Sequence, residues 1–145
     1  MTNRSDGGSG LLHPIALAAL ALWIVNDHVL KWRCPCWFTG KLSDVAGMIV
    51  FPLVLRALLR VDVRACVLAT GLGFAAVKLL APATAAFAQL LGWLQWPWTH
   101  DGAPVAIVRD PTDLIALPAL AIAWWIGATA ASAAPAAGAC RRRRA

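Results

Sequence analysis

The sequence predicts an all-α, polytopic integral membrane protein, with four transmembrane helices in two hairpins plus a short interfacial helix. Three observations predict it. Of 145 residues, 60% are hydrophobic and only 14% are charged, too few to give a soluble domain of this size a polar exterior. The apolar residues fall in several uninterrupted runs of roughly bilayer-spanning length. The basic residues sit mostly in loops, at the ends of those runs and at the C-terminus. Lipid offers no hydrogen-bond partner to a backbone, so the runs must be helical.

Residues 1–10 are polar and glycine-rich and read as a disordered lead. The first span covers 11–30. A secretory signal competes for it, but the small-residue pattern around Ala16 to Ala21 falls inside the apolar run, which favours a retained anchor. Lys31 to Lys41 reads as a loop carrying Trp32, Trp37 and Cys34-Pro35-Cys36. Ser43-Asp44 resembles a helix start, with a cap and a first-turn carboxylate, and opens a second span over 43–59. Pro52 and a snorkelling Arg56 are tolerable near its end.

Arg56, Arg60 and Arg64 flank a tight turn before the third span, 63–80. Its small residues Ala69, Gly71, Gly73, Ala75 and Ala76 form a surface suited to close helix packing. Pro82 ends it. A segment over 83–95 is short for a span and suits an interfacial helix, and Trp93, Trp96 and Trp98 suit headgroup depth. Asp110-Pro111-Thr112-Asp113 is a strong helix start: a capping acid, proline at the first position and an acid two residues later. It opens the fourth span, 113–131. An Ala-rich, basic tail follows over 132–145. The four spans make a single membrane domain over 11–131.

The net charge of +6 is not a nucleic-acid signal, because Arg141 to Arg144 form a terminal run and no basic-aromatic surface accompanies them. Nucleic acid is therefore set aside as a partner. Membrane lipid is expected, with a homo-oligomer as a further expectation. Ten Arg against three Lys, with no Glu or Tyr, suggests a bacterial source and hence the inner membrane. Four spans put both termini on one side, and the excess of basic residues there places them in the cytoplasm. Cys140 beside the arginines is a lipidation candidate.

That topology brings the end of span 1, the start of span 2, the end of span 3 and the start of span 4 to one membrane face. Asn26, Asp27, His28, Lys31, Lys41, Ser43, Asp44, Lys78, Asp110, Thr112 and Asp113 gather there. Asp27 and Lys31, four apart, can pair. Asp44, Asp110 and Asp113 have an ordinary explanation as acids near helix N-termini. Asp27 does not: it sits near a helix C-terminus inside an apolar stretch, where an ionisable group is a functional candidate by default.

Three readings follow. The first is recognition of a small polar or lipid-headgroup ligand, with Asn26, Lys31, Lys41, Ser43, Lys78, Asp110 and Thr112 as binding residues. The second is an intramembrane enzyme with Asp27 or His28 as base and Asp44 or Asp113 as partner. The third is ion or proton transport, which fits less well with acids gathered at one depth. His28, Cys34 and Cys36 are weak metal candidates, since two cysteines one residue apart complete no zinc pattern. No metal is favoured, and the cofactor is unknown.

Overall fold

The computed structural model describes residues 10–34 and 36–133. The polar lead before Gly10, Pro35, Cys140 and the terminal arginines lie outside the described residues. Of the described residues 83% are helical, and no strand occurs among them.

Helix α1 runs over Pro14–Val25 and continues through a π-helical turn, Asn26–Leu30, and a last turn, Lys31–Arg33. His13 caps it, its ring accepting from the Ile15 N–H at 3.3 Å, with Pro14 at a position that needs no donor. Helix α2 is Trp37–Leu59. Cys36 and Thr39 cap its start reciprocally: the Cys36 side chain accepts from the Thr39 backbone, and Thr39 Oγ1 from the Cys36 N–H. It ends at Arg60, whose left-handed φ of 55° terminates the helix without glycine. Helix α3, Val63–Leu79, is capped by Asp62.

Helix α4, Ala81–Thr99, turns 109° from α3 at Leu80. A 3₁₀ segment, Pro111–Ala119, leads into α5, Leu120–Ala133. Asp110 caps it, accepting from the Thr112 N–H at 2.9 Å. Pro118 cannot donate to the carbonyl four residues back, which disfavours a regular α-helix there.

Two boundaries differ from expectation. The loop expected over Lys31 to Lys41 shrinks to Cys34–Cys36, because α1 continues to Arg33 and the Cys36–Thr39 cap starts α2 at Trp37 rather than Ser43. Ser43 and Asp44 therefore lie in the second turn and do not cap α2. The segment expected over 83–95 is a longer helix: Pro82 sits at its N-terminus, where a missing N–H costs nothing, and the three tryptophans continue it.

Pro14–Arg33, Trp37–Leu59 and Pro111–Ser132 are long and apolar enough to cross a membrane; the bent pair α3–α4 makes a fourth if counted as one span. Helix α2 is the centre of the bundle, packing against α1, α3, the 3₁₀ segment and α5. Its Met48, Ile49, Val50 and Leu53 meet Ala16 and Ala19 of α1 and Ala116, Ala119, Ala123 and Ile126 of the last two segments. Alanines at these contacts let the helices approach closely, which in lipid replaces the hydrophobic drive of a soluble core. The small residues of α3 divide. Gly71 faces α5, where an added Cβ would meet Leu120 at 2.9 Å, whereas Gly73 faces open space.

Candidate functional site

All the polar chemistry described next lies at one end of the bundle, where α1 and α3 end and α2 and the 3₁₀ segment begin. Helix α2 contributes to two neighbouring groups there.

The first group joins α1 to α2. Lys31 donates its backbone N–H five residues back to Asn26, the π-helical bond, and in this turn two consecutive side chains reach α2. Asn26 is 0% exposed and donates its amide to the Thr39 carbonyl and to Ser43 Oγ, both at 2.7 Å. Ser43 in turn donates its hydroxyl hydrogen bond to Asp27 Oδ1 at 2.5 Å. Lys31 pairs with that oxygen at 2.7 Å, and Trp23 Nε1 donates to Asp27 Oδ2 at 2.9 Å. Both oxygens of Asp27 are therefore engaged. The Asn26 Oδ1 atom is buried with no partner among the described residues.

The second group joins α2, α3 and the 3₁₀ segment. Lys41, 6% exposed, donates to Asp113 Oδ1, to Asp110 Oδ2 at 3.0 Å and to Thr112 Oγ1 at 2.6 Å. An ammonium has three protons, and all three are used. Asp113, 7% exposed, receives Lys78 on its other oxygen at 2.5 Å. Lys78 also lies 3.8 Å from Asp44 Oδ2 and 5.5 Å from the centre of the Phe74 ring.

Asp44 is different. The 3.8 Å approach of Lys78 is too long for a direct hydrogen bond, and its carboxylate accepts no other bond among the described residues. Asp110 lies outside the candidate spans. The ammonium of Lys41 first, then the Thr112 hydroxyl and backbone, hold its carboxyl down at about 2 against an ordinary 3.8.

Below Asp44 and Lys78 runs an apolar crevice of about 200 Å³, open on one side and lined by Met48, Phe51, Ala69, Thr70, Gly73, Phe74, Val77 and Phe87. Helical spacing sets one end of it beside the charged residues: Met48 is one turn beyond Asp44, and Phe74 one turn before Lys78. Thr70 is 7% exposed, and its hydroxyl has no hydrogen-bond partner among the described residues.

Asn26, Asp27, Lys31 and Ser43 are thus brought together in one group, and Lys41, Asp44, Lys78, Asp110, Thr112 and Asp113 in the other. His28 is exposed and joins neither group among the described residues. Cys34 and Cys36 are exposed free thiols. The Thr39 N–H at the start of α2, followed by the Thr39 hydroxyl and the Phe38 backbone, pulls the Cys36 thiol below its ordinary value. Among the described residues no three His, Cys, Asp or Glu side chains are grouped to hold a metal ion, so His28, Cys34 and Cys36 do not converge.

The three lysines expected to bind a polar ligand are already paired: Lys41 and Lys78 with internal acids, Lys31 with Asp27. Three participants were not foreseen: Thr39, Thr70 and the π-turn. Thr39 had a signal, three residues after Cys36 at capping-box spacing, and Thr70 had one as an isolated hydroxyl in an apolar run. Comparison with family models, curated proteins and solved structures finds no match to this chain.

Proposed function

We propose that this chain is a multi-pass protein of a bacterial inner membrane, with both termini cytoplasmic, that binds a lipid-like amphiphile. The polar head would rest at Asp44 and Lys78, and the apolar part would lie in the crevice between α2, α3 and α4. The observation that carries this reading is the adjacency of the two: an open apolar crevice with a charged cluster one helical turn from its Met48 and Phe74, and an unsatisfied buried hydroxyl, Thr70, in its wall. A buried donor without a partner costs about 1–3 kcal/mol, so a ligand that offers Thr70 an acceptor or donor gains that much.

The enzyme reading draws less support. Asp27, its expected base, already accepts from three donors, Ser43, Lys31 and Trp23, which compete with a substrate's proton for its oxygens and leave one lone pair, on Oδ2. Transport draws less still, since these acids share one end of the bundle and do not mark a path across it.

Gly73 provides the test. An added Cβ there meets no atom within 4 Å, and Gly73 lines the crevice, so Gly73→Leu should enter the crevice without a clash at its Cβ and fill it. Native mass spectrometry of the purified chain should show retained lipid on the wild type and its loss from Gly73→Leu, with thermal stability unchanged or raised. Equal lipid retention by both proteins would remove the crevice from the function.

A further inference from the structure

The polar end of the crevice carries a demand for one kind of head group. Two ammoniums, Lys41 and Lys78, face three carboxylates, Asp44, Asp110 and Asp113. Every proton of Lys41 is committed, and both oxygens of Asp113 are occupied. Asp110 is engaged by Lys41 through one oxygen and by Thr112 through the other. Asp44 alone has neither oxygen in a hydrogen bond among the described residues, and its side chain is 23% exposed.

An incoming anion would find no free donor on Lys41, and one on Lys78 beyond its bonds to Asp113 and the Val108 carbonyl, and would meet an excess of negative charge. An incoming cation would find in Asp44 an acceptor with no hydrogen bond among the described residues and would bring the cluster to neutrality, which matters most where little water screens the charges.

We propose, resting on the amphiphile reading above, that the ligand's head is a protonated amine and that Asp44 receives it. The head would donate to Asp44 beside Lys78, with its alkyl chain passing Met48 and Phe74 into the crevice. Thr70 lies eight residues before Lys78, about 12 Å along the helix, and would meet a hydroxyl or carbonyl carried at that distance from the amine. An alkyl amine without such a group should therefore bind, but without satisfying Thr70.

The test uses the full chain purified in a maltoside detergent, with native mass spectrometry as readout and two titrants of equal chain length, dodecylammonium and dodecanoate. Dodecylammonium should bind wild type about tenfold or more tightly than dodecanoate, the scale of a charge-assisted hydrogen bond. Asp44→Asn should remove that preference, Asp44→Glu should restore part of it, and Gly73→Leu should abolish binding of both. If dodecanoate binds as well as the amine, or Asp44→Asn leaves the preference intact, the head-group inference falls; the amphiphile reading still stands provided Gly73→Leu abolishes binding. If Gly73→Leu makes no difference, both fall. The two titrants on the unmodified chain decide the head-group question even if Asp44→Asn does not fold.

Discussion

Lys41 and Asp113 stand 72 positions apart and form an ion pair between two side chains with only 8% and 10% of their surface exposed. Asp113 binds Lys78 through its second oxygen, so one carboxylate ties α2, α3 and the 3₁₀ segment together. Removing it takes from Lys41 and Lys78 the buried carboxylate that both bind directly. Asp113→Ala should cost about 3–5 kcal/mol, read from unfolding in mixed micelles. The double variant Lys41→Met/Asp113→Leu should cost less than the sum of its singles, because it removes both charges of one pair. Strict additivity would show that the pair is not buried as described.

Asp27 and Asp113 were natural partners on topology alone, but the structure puts them in separate groups. Asp27 binds Trp23, Lys31 and Ser43, while Asp113 binds Lys41 and Lys78, and no side chain bridges them among the described residues. Asp27→Asn and Asp113→Asn should therefore be additive within about 0.5 kcal/mol. An interaction energy above about 1 kcal/mol would mean that the α2 residues between them, Lys41 to Asp44, transmit strain from one group to the other.

How much of this was legible in the sequence depends on the kind of signal. The helical spans were, because apolar runs of bilayer length admit only helices. The Asp110-Pro111 start was, because a cap is a local event written in adjacent residues. So was the gathering of acids and lysines at one end, which needs only an even number of crossings among the helices that carry them. The partner of each charge was not. Lys41 reads as a loop residue until the Cys36–Thr39 cap moves the helix start back to Trp37, which turns Lys41 inward. The π-turn at Asn26 left no local mark either, since it follows from burying an amide against Thr39 and Ser43, a tertiary event. The crevice is a space between helices, and its walls, Met48 and Phe74 among them, read as ordinary core.

Acid should reveal Asp110. Its folded carboxyl is held down at about 2 against an ordinary 3.8, so folding favours the ionised form. That contribution is fully present above the unfolded value and is lost as pH falls through the folded one. Wild type should lose stability between pH 3.8 and about 2, and Asp110→Asn should lose less across that window. Parallel curves for the two proteins would show that Lys41 does not hold this carboxylate ionised.

Two glycines should respond in opposite directions to the same substitution. A Cβ on Gly92 would fall 2.2 Å from the Ala103 carbonyl oxygen, where the segment after α4 returns along that helix and Val105 donates to Ala88. Gly92→Ala should therefore be destabilising. A Cβ on Gly40 meets nothing within 4 Å, so Gly40→Ala should stabilise by about 0.5–1 kcal/mol through helix propensity alone. Thermal unfolding of both variants checks the sign, and destabilisation by Gly40→Ala would place a neighbour against that face of α2.

Cys36 offers a prediction that needs no ligand. The Thr39 N–H reaches its sulfur at the start of α2, where the helix dipole also favours negative charge. Its thiol therefore titrates below the ordinary value, and at neutral pH a larger fraction is thiolate than in the unfolded chain. Alkylation by iodoacetamide, followed residue by residue with mass spectrometry across pH, should give Cys36 an apparent pKa below that of the same cysteine in the denatured protein. Asp substituted for Thr39 would set a second negative charge beside the sulfur and lose the hydroxyl, so Thr39→Asp should raise that value and slow the reaction at pH 7. Identical profiles for the folded and unfolded chains would mean that α2 does not begin at Trp37, and Ser43 would again become a candidate for its start.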